Sequence, residues 1–385
     1  MKIDFATTMS RALEQIRAGH PGDATRTIQA ALSARAEPRP EPPANRPPLT
    51  GPPVEEAEVI AERAPGPAPA GPPARRGLRE VVDALARIRP GTPQPGRAPR
   101  PRPPIPEGAR LETRSFASRH GARDYLLYVP ASAPQGARGL VLMLHGCTQD
   151  PDDFAAGSRM NAEAERHGLV VAYPHQTRQH NAQGCWNWFR PGDQREDGGE
   201  AALLAALAQE VARDFGVTEG RIFVAGLSAG GAMAATLAAT HPQLFAAAGV
   251  HSGLPHGAAH DVISAFAAMR GERARATVAA RQPVRTIIFH GLADTTVHPS
   301  NAEALLAATG ATAQGARRQE RGRTPAGRSW SRETVTGEDG RSLAELWRIE
   351  GAGHAWAGGC ASGSYTDPAG PDASAEMVRF FLEGS

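Results

Sequence analysis

Prolines divide this chain of 385 residues before any other feature does: 21 of the 34 lie between Pro38 and Pro106. Proline fixes φ near −65° and has no amide hydrogen to donate, so such a density excludes helix interiors and central strands. Glu37–Glu107 therefore reads as extended, polyproline-like chain. Two islands interrupt it, Val54–Arg63 and Arg75–Arg89. In the second, Leu78, Val81, Val82, Leu85 and Ile88 follow helical spacing, as a short amphipathic helix or a solvated tether would allow. Before the linker, Phe5, Met9, Ala12 and Ile16 share one helical face, and Ile28 and Leu32 repeat it after a break at Gly19–His20–Pro21–Gly22. The expected organisation is a helical, partner-docking segment over 1–35, a largely disordered Pro-rich linker over 36–107, and a folded domain over 108–385.

Charge and apolar runs exclude several classes. With 42 basic against 40 acidic side chains the formal net charge is +2, which gives no basic surface for nucleic acid. No run of ~20 apolar residues is present to span a membrane. The first residues, with Lys2, Asp4, Arg11 and Glu14, lack the apolar core and small-residue cleavage site of a secretory signal, so a cytoplasmic location is expected. Three cysteines do not make a disulfide framework, and Cys-x-x-Cys or His-rich metal spacing does not accompany them. Neither a metal nor a cofactor is expected. The oligomeric state is not legible.

From about Leu111 strand and helix patterns alternate. Tyr125–Val129, Leu140–Leu144, Leu169–Tyr173, Ile222–Ala225, Ala246–Val250 and Ile287–Phe289 read as strands, and Leu204, Leu207, Val211 and Phe215 mark a helix between two of them. Such βαβα alternation predicts a mainly parallel sheet with helices on both faces. Ser329–Thr336 and Leu343–Ile349 flank Asp339–Gly340, a hairpin turn signal.

Gly226–Leu227–Ser228–Ala229–Gly230 falls between a strand, Arg221–Ala225, and an Ala- and Met-rich helix, Gly231–Thr240. Strand, sharp turn, helix is the order a nucleophile elbow requires, with glycines where backbone and helix approach. A serine hydroxyl attacks well once a base takes its proton and an acid fixes the tautomer of that base. In this fold class the chain order is Ser, then acid, then His. Asp294 follows the strand Ile287–Phe289 and His354 follows Leu343–Ile349, both past strand ends where open α/β sheets place their sites. His298, four residues after Asp294, is the competing base, and His290 reads as a packing residue at a strand end.

An oxyanion hole takes one donor from the amide after the nucleophile, here Ala229, and one from the loop after an early strand. His145–Gly146–Cys147–Thr148–Gln149 follows Leu140–Leu144, and the Cys147 amide is the expected donor; a nucleophilic Cys147 is the rival reading. Cys147 and Cys185 either pair under oxidising conditions or remain two buried thiols. His145, together with Trp186 and Trp188 in the polar loop Cys185–Trp186–Asn187–Trp188–Phe189, are the candidate substrate-binding residues. The tryptophans form a ligand wall if exposed and anchor the loop if buried.

Leu144–His145–Gly146–Cys147–Thr148–Gln149, Cys185–Trp186–Asn187–Trp188–Phe189, Ala225–Gly226–Leu227–Ser228–Ala229–Gly230–Gly231, Val250–His251–Ser252–Gly253–Leu254 and Gly353–His354–Ala355–Trp356 occur together in this order. Tyr365–Thr366–Asp367–Pro368 and Gly370–Pro371–Asp372–Ala373–Ser374 follow. As a set, over about residues 110–384, they resemble the poly(3-hydroxybutyrate) depolymerase family of esterases. The resemblance implies an α/β-hydrolase fold, a triad of Ser228, Asp294 and His354, an oxyanion loop at His145–Cys147, and hydrolysis of short-chain polyhydroxyalkanoate or its oligomers. Secreted members carry a signal peptide and usually a separate polymer-binding module, which makes an extracellular location the alternative. Relatives on a similar scaffold include feruloyl and acetyl-xylan esterases, so the implied partner is an ester substrate, with a polymer granule surface as one form of it. A reading from another class is a granule-binding protein with a vestigial hydrolase fold, motivated by the helical N-terminus and the proline tether.

Overall fold

The apolar runs pair side by side in one sheet. The computed structural model describes residues 105–133, 136–272, 283–311 and 315–383. Its strands are β1 (Arg110–Ser118), β2 (Gly121–Val129), β3 (Gly139–Leu144), β4 (Leu169–Pro174), β5 (Ile222–Leu227), β6 (Ala247–His251), β7 (Arg285–Gly291), β8 (Ala316–Arg323), β9 (Ser329–Thr336) and β10 (Ser342–Ile349). They form a ten-stranded sheet in the order β1-β2-β4-β3-β5-β6-β7-β10-β9-β8. The middle strands, β4 through β10 in that order, run parallel. β1 and β2 at one edge, and β9 and β8 at the other, pair antiparallel.

Alternation along each strand distributes side chains to two faces. Leu140, Leu142 and Leu144 of β3, with Ile222 and Val224 of β5, face α3 (Gly199–Asp214) and α4 (Ala229–Thr240), where Leu204, Leu207, Val211, Met233 and Leu237 lie buried. Val141 and Met143 of β3, Phe223 of β5 and Phe289 of β7 face the other way. There they meet Phe154 of α1 (Pro151–Ser158), Met160 of α2 (Met160–His167), and Met377, Phe380 and Phe381 of α7 (Ala373–Leu382). Parallel strands covered on both faces read as continuous apolar runs, and that is how β3, β4 and β5 stood out in the sequence. Two further helices, α5 (Val262–Met269) and α6 (Ser300–Ala308), follow β6 and β7.

The edges depart from the expected pattern. β8, Ala-Arg-Arg-Gln-Glu-Arg-Gly-Arg, pairs with β9 from Ala316↔Thr336 to Arg323↔Ser329 although it has no apolar alternation. An edge strand needs no buried face, and its arginines discourage pairing with another chain. β1 likewise has one buried side chain, Phe116. The Asp339–Gly340 turn joins β9 to β10 as expected, with Gly340 at φ +80°. The segments expected over 1–35 and 36–107, up to Pro104, lie outside the described residues.

β3 has β4 on one side and β5 on the other, so the chain turns in opposite directions after these neighbours. Loops leaving such a switch point diverge and open a crevice at the carboxyl ends of the strands. The loop after β3 and the turn after β5 flank it.

Candidate active site

β5 ends at Leu227 and α4 begins at Ala229, so Ser228 alone makes the turn. Its backbone, at φ 59° and ψ −119°, occupies a region that costs a non-glycine residue on the order of 1–3 kcal/mol. The surroundings over-determine it: Ser228 N–H donates to the His251 carbonyl at 2.9 Å, and the Ser228 carbonyl accepts Ala232 N–H at 2.9 Å. Ser228 is half-buried, and among the described residues its hydroxyl has no hydrogen-bond partner.

Asp294 and His354 arrive from different strands and meet. The segment after β7 lies against the one after β10: Leu292 N–H donates to the Ile349 carbonyl and Ala293 N–H to the Ala352 carbonyl, each at 2.9 Å. A side chain at Gly291 would stand 2.4 Å from the Ala352 carbonyl oxygen, so glycine permits this approach. His354 Nδ1 lies 2.7 Å from Asp294 Oδ2. Asp294 Oδ1 accepts Thr296 N–H and Val297 N–H, both at 2.9 Å. Burial alone would push the Asp294 carboxyl up; the hydrogen bond and charge of His354, the Val297 amide and His290 outweigh it and hold it below the usual carboxylate range. A carboxylate so held accepts from Nδ1–H, which leaves Nε2 of His354 bare as a proton acceptor.

The other histidines have other partners. His298 is exposed and bonds through Nδ1 to Ser300, on the same loop as the acid. His290 is fully buried, donating from Nε2 to the Val297 carbonyl at 2.8 Å, 3.5 Å from Asp294 Oδ2. Packing at a strand end is joined there by a contact with the acid.

The loop after β3 is folded on itself. Gly146 N–H donates to Gln149 Oε1 at 2.9 Å, and Gln149 Nε2 reaches Asp153 and the Ser364 carbonyl. Thr148, at φ 64°, donates its N–H to the Gln183 carbonyl. A side chain on Gly146 would come 3.6 Å from Ser228 Cβ, so this loop borders the elbow directly. Among the described residues the amides of Cys147 and Ala229 have no protein acceptor, and Ala229 opens α4, where amides have no intrahelical partner. Cys147 and Cys185 are joined by a disulfide. A nucleophilic Cys147 is thereby corrected, since a bonded sulfur has no thiolate.

Three expected substrate contacts are placed elsewhere. Trp186 is fully buried, its indole N–H donating to the His145 carbonyl at 3.1 Å, and Trp188 is 6% exposed. Neither forms an exposed ligand wall; both pack in the core beneath the loop. His145 is also fully buried, with Nδ1 on the Gly146 carbonyl and Nε2 accepting Gln176 N–H. Burial pushes its pKa down to about 4, so it is neutral and acts on the loop backbone. The polar residues flanking Trp186 have a use that sequence reasoning missed. Glu200, at the start of α3, accepts Asn187 N–H and Asn187 Nδ2–H at 2.7 Å, Gln176 Nε2–H at 2.5 Å and Arg123 Nη2–H at 3.2 Å. A lone glutamate opening a helical pattern carries no sign of such a role. Among the described residues, no group of three or more His, Cys, Asp or Glu side chains is arranged to hold a metal ion.

The family model described as esterase PHB depolymerase matches residues 123–324, just over half of the chain. The poly(3-hydroxyalkanoate) depolymerase C of Paucimonas lemoignei is 33% identical over 205 residues, which are 50% of this chain and 49% of that protein. A probable acetylxylan esterase A of Aspergillus fumigatus is 27% identical over 218 residues, 51% of this chain and 57% of that protein. The chain thus spans about half the length of these curated relatives. Among solved structures, the acetyl xylan esterase from Aspergillus awamori is similar with a TM-score of 0.55 at 21% identity, covering 71% of this chain and 98% of that one. Sheet order, elbow and this likeness identify an α/β-hydrolase fold.

Proposed function

The chain belongs to the esterase PHB depolymerase family, and from that membership we propose that it is a serine carboxylesterase acting on short-chain polyhydroxyalkanoate or its oligomers. The observation that carries the reading is the buried Asp294 bonded at 2.7 Å to His354 Nδ1, on loops at the same carboxyl end of the parallel strands where Ser228 makes its strained turn.

Ser228 Oγ attacks the ester carbonyl as His354 Nε2 takes its proton. Asp294 orients the imidazole and balances the imidazolium charge. The amides of Cys147 and Ala229 donate to the oxyanion; such a donor is worth ~10²–10³ in rate. Collapse of the tetrahedral intermediate breaks the bond to the alcohol, which leaves with the proton from His354. Water, deprotonated by His354, then attacks the acyl-Ser228 carbonyl, and the second collapse frees the acid and returns the proton to Ser228.

Ser228→Ala should lower kcat on short p-nitrophenyl esters by on the order of 10⁶-fold, and Asp294→Asn by about 10⁴-fold. A folded Ser228→Ala protein with near-normal turnover refutes the assignment. The similarity to acetylxylan esterase A supports acetyl-ester hydrolysis as the second reading. Parallel assays on 3-hydroxybutyrate oligomers, acetylated xylan and methyl ferulate rank the acyl groups.

A further inference from the structure

His251 ends β6, beside the nucleophile elbow, and touches both halves of the site. Its carbonyl accepts Ser228 N–H at 2.9 Å. Its ring, fully buried, accepts the N–H of Ala357 at Nε2, 3.0 Å away and three residues beyond His354. An amide can only donate, so Nε2 is bare and the ring proton sits on Nδ1, which donates to Ser252 Oγ at 3.1 Å. The ring is stacked on Phe289 of β7, at 5.7 Å and 11°, and on Trp356, at 5.2 Å and 26°. Phe289 precedes Asp294 by five residues and Trp356 follows His354 by two, so the segments bearing the acid and the base both rest on this ring.

We propose that His251 is a positioning residue for ester hydrolysis, its Nε2 holding the His354 segment at a fixed distance from the nucleophile elbow. The segment needs such a tie because it has little regular structure of its own. Trp356–Ala357 is a two-residue strand (β11) paired with Thr366–Asp367 (β12), outside the main sheet. Trp356 N–H reaches the Tyr365 carbonyl of that second short strand's approach, whereas Ala357 N–H reaches the main sheet through His251. Burial, and then the neighbouring His290 and His354, push the His251 pKa down to about 3 against the pull of Asp294. Near neutral pH the ring is therefore an uncharged acceptor.

The proposal rests on the assignment of Ser228, Asp294 and His354 above. Two variants of the full chain separate the roles of the two ring nitrogens. Glutamine carries its amide oxygen to about the reach of Nε2 and can accept from Ala357; asparagine reaches only the position of Nδ1. With p-nitrophenyl acetate, His251→Asn should lower kcat by about 10²-fold, the usual consequence of a misplaced catalytic group. KM should stay within about 3-fold, since binding in the ground state is untouched. His251→Gln should restore most of the lost kcat, even where the two variants melt at similar temperatures. Equal kcat values for the two variants, high or low, overturn the proposal, as does a loss confined to KM. If either variant does not fold, inactivation of the soluble one by a serine-directed phosphonate ester decides: native-rate labelling of His251→Asn, or labelling of His251→Gln slowed about 10²-fold, overturns it. Ser228→Ala is the control, because full activity there refutes the triad itself, whereas an inactive Ser228→Ala beside indistinguishable His251 variants refutes this inference alone.

Discussion

A methyl group placed on Gly230 would stand 2.0 Å from the carbonyl oxygen of Leu144 and 2.6 Å from that of His145. The first turn of α4 thus presses directly on the end of β3, and this contact sets the distance between the elbow and the loop bearing the Cys147 amide. Gly230→Ala should cost about 3 kcal/mol or more of stability, because the atoms it meets are backbone and cannot turn aside. Activity on soluble esters should fall by about 10²-fold through displacement of the Cys147 and Ala229 amides proposed to hold the oxyanion. Urea midpoints and kcat test both; a Gly230→Ala protein of native stability and turnover would contradict the close approach.

Glu200 predicts a larger loss from a residue remote from any bond being broken. Glu200→Leu removes the acceptor of four buried contacts, from Asn187, Gln176 and Arg123. Gln176 Nε2 keeps the Cys185 carbonyl and Asn187 Nδ2 the His180 carbonyl, whereas Asn187 N–H and Arg123 Nη2 lose their acceptor. The side chains of Arg123 and Glu200 are each 5% exposed, so water cannot substitute freely. The expected cost is about 3–5 kcal/mol, as for other buried pairs broken from one side. Glu200→Gln keeps one acceptor oxygen and should cost less, about 1–3 kcal/mol. Equilibrium unfolding in urea measures the difference. Equal stability of Glu200→Leu and the unaltered protein would show that the network is dispensable.

Acid should destabilise the fold earlier than carboxylate titration alone would. His145 and His251 are buried and neutral, with pKa values pushed down from 6.5 to about 4 and about 3, and burial pushes His290 down as well. Between those values and 6.5 the unfolded chain binds more protons than the folded one, so stability rises with pH there. It is fully present above about pH 6.5 and is lost as pH falls toward the folded-state values. Melting temperatures measured from pH 7 to pH 4 should fall steadily, and His251→Gln should flatten the slope. A slope unchanged by that substitution would mean that another group governs the acid limb.

Much of the architecture was legible because burial on both faces writes itself as an apolar run, as in Leu140–Leu144 and Ile222–Leu227. The elbow was legible because a one-residue turn between strand and helix demands small neighbours, which Gly226 and Gly230 supply. β8 was not, since an edge strand is held by backbone bonds to β9 and asks nothing of its side chains. Trp186 and Trp188 misled for a related reason: a polar loop in sequence can still fold over the core, carrying its aromatic rings inward while Glu200 satisfies its amides.

Periodicity and turn chemistry, which depend on near neighbours in the chain, were determined by the sequence alone: the parallel α/β layering, the strand–Ser228–helix turn and the hairpin at Asp339–Gly340. Tertiary structure decided what depends on residues distant in the chain. It brought Asp294 within 2.7 Å of His354 across 60 positions, joined Cys147 to Cys185 across 38, and set the ring of His251 under Ala357 across 106. Those meetings follow from which strands become neighbours and from close approaches such as Gly291 on Ala352. A local pattern carries no information about them, because each is a distance between loops that the whole packed sheet must set.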